Sequence, residues 1–213
     1  MLRAHLPRTL FATVVAFTAL TVLPSPALAQ TTTPKPALEE AVFAGGCFWC
    51  MEEAFEKING VNTVESGYTG GKTPDPDYNS VSSGRTGHVE VIRVRYDPSQ
   101  VNYENLLKAF WANIDPTVSN RQFCDVGEQY RSAIFYVDEK QRELAQKSKQ
   151  DLEKIGKFKR IYTTVEPAQR FYMAEEYHQD FYKKNPLRYK FYKTSCGRED
   201  RLNEVWAYQP GKR

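Results

Sequence analysis

The chain has 213 residues, with 29 lysines and arginines against 26 aspartates and glutamates, a formal net charge of +3, and 13% aromatic side chains. That near-balance excludes the strongly basic surface that nucleic acid or an anionic membrane would require. Four cysteines are too few for a disulfide-scaffolded fold, and the length suits one domain with a sizeable core.

Taken in order, the chain opens like a targeting segment. Arg3 and Arg8 precede an apolar stretch from Leu10 to Leu23, and Ala27-Leu28-Ala29 has the small-x-small form of a cleavage site. The apolar run is short for a membrane span, so residues 1–29 read as a secretory signal peptide and the protein as exported, periplasmic or secreted. An uncleaved anchor is the alternative. Without Arg3 and Arg8 the balance is 27 basic to 26 acidic residues, and all four cysteines remain, facing an oxidising compartment. Residues 30–38 (QTTTPKPAL) form a Thr/Pro-rich tether, and 39–213 a single catalytic domain.

Ala41-Val42-Phe43-Ala44 reads as a buried strand, and Met51, Ala54, Phe55 and Ile58 as a helix ended by Asn59-Gly60. Between them stands Gly45-Gly46-Cys47-Phe48-Trp49-Cys50. Cys47 is therefore expected at a helix N-terminus, where unpaired backbone N–H groups lower a thiol's pKa and favour the nucleophilic thiolate. Three plainer readings stand beside this one: a small buried hydrophobe, half of a zinc site, or a structural disulfide. The zinc reading finds no support elsewhere. There is no second C-x-x-C, and beyond the leader only His88 and His178 occur, neither at finger spacing, so no metal is expected.

Val61 to Tyr68 alternates like a strand, and residues 72–87 form a Pro/Gly/Ser/Asp-rich loop with Tyr78 at its middle. His88 to Tyr96 is a strong strand in which Glu90 shares a face with Ile92, Val94 and Tyr96. A carboxyl held among apolar side chains keeps its proton near neutral pH, as a general acid must. A strand-end glutamate at the rim, or one re-aimed by a bulge, is the competing reading. Asn102 caps a helix to Ile114, and a polar loop from Thr117 to Glu128 carries Cys124 and Asp125. A strand follows from Gln129 to Val137, then a charged helix from Asp138 to Ile155 with Gln141 in the capping-box position. Arg160 to Val165 reads as a strand and Ala174 to Lys184 as a helix. From about residue 187 an extended tail holds Cys196. Strands and helices alternate with hairpin-length gaps between some of them. That favours an α+β sandwich, with helices covering one sheet, over a doubly wound parallel sheet.

Gly46-Cys47-Phe48-Trp49, Gly67-Tyr68-Thr69-Gly70-Gly71, the Tyr78 loop, Gly87-His88-Val89-Glu90 and Asp125-Val126-Gly127-Glu128-Gln129-Tyr130-Arg131-Ser132 occur together and in order. This set resembles the A-type peptide methionine sulfoxide reductases from about Ala41 to Pro186. The resemblance implies that Cys47 attacks the sulfoxide sulfur and Glu90 protonates the departing oxygen, while Tyr78 and Tyr130 hydrogen-bond it. It implies that Phe48 and Trp49 hold the sulfoxide's methyl group and that Asp125 lines the site. It further implies an α+β fold, a two-layer sandwich around a mixed sheet with a ferredoxin-like core, the S epimer as substrate, free or in proteins, and a sulfenic acid on Cys47 that a second cysteine converts to a disulfide. No bound cofactor is implied; a thioredoxin-like or other dithiol reductant closes the cycle, and a monomer is expected.

The resolving cysteine departs from the best-known pattern, a cysteine in a Gly-rich tail. Cys196 lies in Lys193-Thr194-Ser195-Cys196-Gly197-Arg198, with little glycine. Cys50 offers a shorter route, since residues three apart on a helix lie roughly 5–6 Å from one another, near a disulfide's usual Cα separation. Cys50 is therefore expected to resolve first, Cys196 to relay the disulfide, and Cys124 to be a buried bystander. His178 reads as a structural or surface histidine. The rival function is a C-x-x-C thiol–disulfide oxidoreductase, against which Trp49 lies between the cysteines rather than before the first. A non-enzymatic binding module with a structural disulfide is the third reading.

Overall fold

In the computed structural model, residues 37–207 are described; the leader expected over 1–29 and most of the 30–38 tether lie outside them. The elements run β1 Glu39–Gly45, α1 Phe48–Glu56, β2 Val61–Thr69, α2 Tyr78–Ser82, β3 Val89–Tyr96, α3 Tyr103–Ala112, β4 Arg121–Gln122, β5 Asp125–Val126, β6 Ser132–Tyr136, α4 Glu139–Lys154, β7 Thr164–Pro167, β8 Tyr172–Met173, α5 Phe181–Lys184, α6 Pro186–Ser195 and α7 Arg198–Trp206. Among these residues six strands form one sheet in the order β7-β6-β1-β3-β2-β8, and β4 and β5 form a small hairpin. Only β6–β7 is parallel, so the sheet is mixed. The side-by-side run β6-β1-β3-β2 is the ferredoxin-like core that the resemblance implies.

β1 lies at the centre because Ala41 to Ala44 are apolar without a break, and such a run can be buried on both faces. Phe43 pairs with Ile92 on one side and Ile134 on the other. On the helix-covered face its ring packs on Phe55 of α1 and Phe110 of α3, with centroids 5.2 and 5.3 Å apart. Truncating so enclosed an aromatic ring costs about 3–5 kcal/mol. The opposite face is thinner: Val42, Ala44, Val89, Val91, Ala133 and Phe135 pack against Ala168 and Phe171, and the Arg93 guanidinium covers the Phe171 ring at 4.2 Å. Thus the face bearing Arg93 and Arg95 is the wetter one, and Glu90 points with Ile92, Val94 and Tyr96 toward the helices.

Caps fall where side chains allow them. Asn102 and Asp138 accept from the backbone N–H groups of Asn105 and Gln141, and Asp77 with Ser80 closes a capping box on α2.

Three expectations are corrected. The strand predicted over 160–165 is Thr164–Pro167. The helix predicted over 174–184 forms only from Phe181. Before it, the Gln179 amide bonds both Ser66 N and Ser66 O as well as Ala174 O, fastening 174–179 to the sheet edge and using polar groups that a helix would pair internally. The tail is helical rather than extended. Pro186 starts α6 at its first turn, and Tyr189 and Tyr192, three residues apart, turn one aromatic face inward.

Candidate active site

β1 delivers the chain to Gly46, whose φ of +78° and close approach to Gln122 both require glycine. A Cβ there would meet the Gln122 Cβ at 2.5 Å. Gln122 is itself fixed, bonding Asp115 N and O, so this contact sets the β4–β5 hairpin beside the start of α1. Cys47 is the N-cap of α1 and Phe48 its first residue. The Phe48 N–H, one of the helix's unpaired donors, gives its hydrogen bond to Glu90 Oε2 at 3.0 Å. Cys47 and Glu90, widely separated in sequence, thus meet at one helix end, and they line one hollow of about 50 Å³ with Phe48, Trp49, Tyr78, Asp125, Tyr130 and Tyr192. All seven catalytic and substrate-binding candidates read from the sequence are brought together there.

The electrostatics follow from burial. Glu90 is 4% exposed, and desolvation raises its pKa to about 8; Asp125 and Cys50 push the same way, and the Phe48 N–H only partly opposes them. Its carboxyl is therefore protonated at neutral pH. Cys47 departs from expectation. Burial, the Cys50 sulfur, Glu90 and Asp125 raise it well above an ordinary thiol, because the nearest helix donor serves Glu90 instead of the sulfur. Cys50 goes the other way, lowered to about 7 by the hydrogen bond from Cys47, with Arg198, Tyr189 and Lys193 assisting against burial. In the resting dithiol Cys50 is the more acidic member and Cys47 keeps its proton. Tyr78 and Tyr130 are raised by desolvation and by Glu90, so both are hydroxyl donors throughout the working pH range.

Trp49 is held by two partners. Its ring stacks on Phe181 at 3.8 Å, and its Nε1–H donates to His178 Nδ1 at 3.1 Å. His178 is 2% exposed, enclosed by Phe48, Tyr78 and Tyr177 rings, and burial lowers its pKa. The structural reading of His178 holds; the surface one does not. Glu175 adds a second brace, accepting from Tyr68 Oη and Tyr78 N.

Tyr192 escapes the sequence reading. It donates to Asp125 Oδ2 at 2.5 Å and stands edge-on to Trp49. The signal was Pro186 followed by tyrosines three apart. Four residues on, Cys196 is joined to Cys124, leaving Cys47 and Cys50 as the free cysteines of the described chain. Cys124 is exposed and bonded, not a buried bystander, because the two-residue turn between β4 and β5 holds it outward against the end of α6. Glu52, which no local sequence pattern singles out, lies fully buried on the opposite side of α1 from solvent and is raised to about 7 by desolvation, with its Oε1 accepting from Asp180 N.

A buried dithiol at a helix start, a neighbouring carboxyl that carries a proton and a ring of phenolic donors define a thiol-based oxidoreductase. Residues 39–210 match the family described as peptide methionine sulfoxide reductase, and the chain belongs to that family. Relatives named peptide methionine sulfoxide reductase MsrA include one from Streptococcus equi subsp. zooepidemicus, 49% identical over 62% of this chain and 79% of its own length. Another, from Deinococcus radiodurans, is 51% identical over 65% of this chain and 68% of its own. Among solved structures, reduced Mxr1 of Saccharomyces cerevisiae superposes with a TM-score of 0.66 at 34% identity, over 71% of this chain and 87% of that one. Methionine sulfoxide reductase A of Corynebacterium diphtheriae gives 0.64 at 36% identity, over 72% and 78%.

Proposed function

We propose that this enzyme reduces the S epimer of methionine sulfoxide, free or within exported proteins, by a sulfenic acid and then a disulfide. Cys47 passes its proton to the Cys50 thiolate as its sulfur attacks the sulfoxide sulfur, while Glu90 gives its proton to the oxygen, whose growing charge is met by the Tyr78 and Tyr130 hydroxyls. Methionine leaves with both electrons from Cys47, which retains the oxygen as a sulfenic acid. Phe48 and Trp49 enclose the methyl group, and Asp125, positioned by Tyr192, forms a polar wall. Cys50 then attacks the sulfenic sulfur, water departs, and a Cys47–Cys50 disulfide remains. A thioredoxin-like dithiol returns both thiols. Cys196 takes part as a relay only after its bond to Cys124 opens.

The observation that carries this reading is the protonated, buried Glu90 bonded to the backbone N–H next to Cys47. Sulfoxide oxygen leaves poorly unless it is protonated, and this is the group placed to do so. The test is turnover of each resolved methionine sulfoxide epimer with a dithiol reductant, run beside insulin-disulfide reduction. Wild type should reduce the S epimer, and Cys47→Ser should reduce neither. Preference for the R epimer, or faster insulin reduction than sulfoxide turnover, would overturn it. Residues 1–29 are proposed to direct export; an intact Met1 in the N-terminal mass of the purified protein refutes cleavage.

A further inference from the structure

α1 shows Cys50, Glu53, Ala54 and Lys57 at three- and four-residue steps along one face. That face lines a groove of about 340 Å³, completed by Asn113, by Lys193 of α6, and by Arg198, Glu199 and Leu202 of α7. No residue of this groove lines the sulfoxide hollow. Cys47 and Cys50 therefore lie at two separate mouths.

The groove's charge is distinctive. Lys57 and Lys193 share Glu53 at 2.7 and 3.0 Å, and Lys193 also meets Glu199 at 3.2 Å. Arg198, 3% exposed, donates to Asn113 O at 2.6 Å, touches Met51 Sδ at 3.3 Å and covers the Phe123 ring at 4.3 Å. Among the described residues it makes no salt bridge, although its charge is felt by Asp125. Three cations thus face two carboxylates around a cysteine sulfur.

We propose that this groove is the channel through which a small thiol bearing a carboxylate reaches Cys50, its carboxylate held by Arg198 and Lys57. The proposal rests on the Cys47–Cys50 disulfide of the preceding section and names a reductant that reaches it directly. Cys50 lines this recess and is only 4% exposed, which suits a small molecule better than the surface of a protein. The incoming thiolate bonds to Cys50 Sγ, the Cys47–Cys50 bond breaks, and Cys47 leaves with its electron pair and takes a proton from Glu90. A second thiolate attacks the mixed disulfide at the small molecule's sulfur, releasing a small-molecule disulfide and the Cys50 thiolate. Two thiols are oxidised and one protein disulfide is reduced. The cations around Cys50, and its lowered pKa, favour that last departure.

The test uses the full chain, oxidised by one equivalent of methionine sulfoxide, then treated with mercaptopropionate, mercaptoethanol or cysteamine at equal thiolate concentration. Return of free thiols at Cys47 and Cys50 is read by alkylation and peptide mass. The anionic thiol should react about fivefold faster than the neutral one, the size of one ion pair, and the cationic thiol slowest. Added salt should narrow the spread. Lys57, with its side chain 64% exposed, is replaceable without disturbing the core: Lys57→Glu should abolish the anionic advantage and Lys57→Arg restore it. Equal rates for the three thiols, or an advantage that survives Lys57→Glu, overturn the proposal. Pre-reduced wild type separates the two failures. If it yields no methionine in a single turnover, the sulfoxide reading fails; if it yields methionine while thiol charge makes no difference, only this proposal fails.

Discussion

Replacing Glu90 by glutamine separates acid catalysis from packing. A carboxyl titrating at about 8 is protonated at pH 7 in roughly nine molecules of ten, whereas at the ordinary 4.5 it would be so in about one of three hundred. In the proposed mechanism burial thus multiplies the acid available for the S–O step by about two orders of magnitude. Glutamine keeps an oxygen that can accept from the Phe48 N–H, so the start of α1 should persist, but it has no acidic proton to transfer. The expected loss in single-turnover methionine formation at pH 6–7 is about 10²–10⁴-fold, the range of general-acid catalysis. Stability should move the opposite way. Between pH 4.5 and 8 the unfolded chain has released the Glu90 proton while the folded chain retains it, so stability falls as pH rises through that window. At pH 7 the span from 4.5 corresponds to about 3 kcal/mol, which the glutamine variant avoids. The variant should therefore melt above wild type at pH 7–8 and close to it near pH 4.5. Wild-type turnover in Glu90→Gln would refute the role; a melting difference independent of pH would refute the electrostatic account.

Cys50→Ser, run without added reductant, should complete one turnover and leave a trappable sulfenic acid on Cys47; a Cys47 disulfide to Cys124 or Cys196 in that variant would assign resolution elsewhere. Tyr192→Phe removes the donor to Asp125 and should lower turnover by about tenfold, the worth of one hydrogen bond to a carboxylate, with the fold intact by circular dichroism. Cys124→Ala with Cys196→Ala opens a bridge spanning 72 residues and should lower stability by up to about 4 kcal/mol in chemical denaturation. Melting temperature followed across pH should fall at both ends of the range, with buried His178, held below its usual value, adding to the loss as pH drops below 6.5. Buried Glu52 and Glu90, raised to about 7 and 8, withdraw stability as pH climbs above 4.5, while Glu53, lowered to about 2 by Lys57, Tyr189 and Lys193 against partial burial, withdraws it as pH falls below 4.5.

The sheet core was legible because its strands carry unambiguous signals: an unbroken apolar run for β1, alternation for β2 and β3, and caps at Asn102 and Asp138 for the helices between. Of the hollow, Cys47 at a strand–helix junction and Glu90 on an apolar face are local patterns, whereas Phe48, Trp49, Tyr78, Asp125 and Tyr130 were reached only through the family resemblance. The C-terminal third was not. Its segments are ordered by long-range contacts, Gln179 to the β2 edge and Tyr189 and Tyr192 to α1 and Asp125, and tyrosines with polar tips give a weak hydrophobic period. The thiol's acidity was misjudged for a related reason. Position at a helix start says that donors exist, but only the fold says that Phe48 directs its N–H to Glu90 and that two more acids share the space.

The cystine between Cys124 and Cys196 couples that late-ordered region to the chemistry. Asp125 sits one residue from one sulfur and Tyr192 one helical turn from the other, so a covalent rivet and a phenol–carboxylate bond fasten the same two segments in parallel. Electrons are what the enzyme consumes, yet in surplus they also cut the rivet. The shape of the hollow is then tied to how reducing its surroundings are, with the tightest wall under the oxidising conditions that generate its substrate.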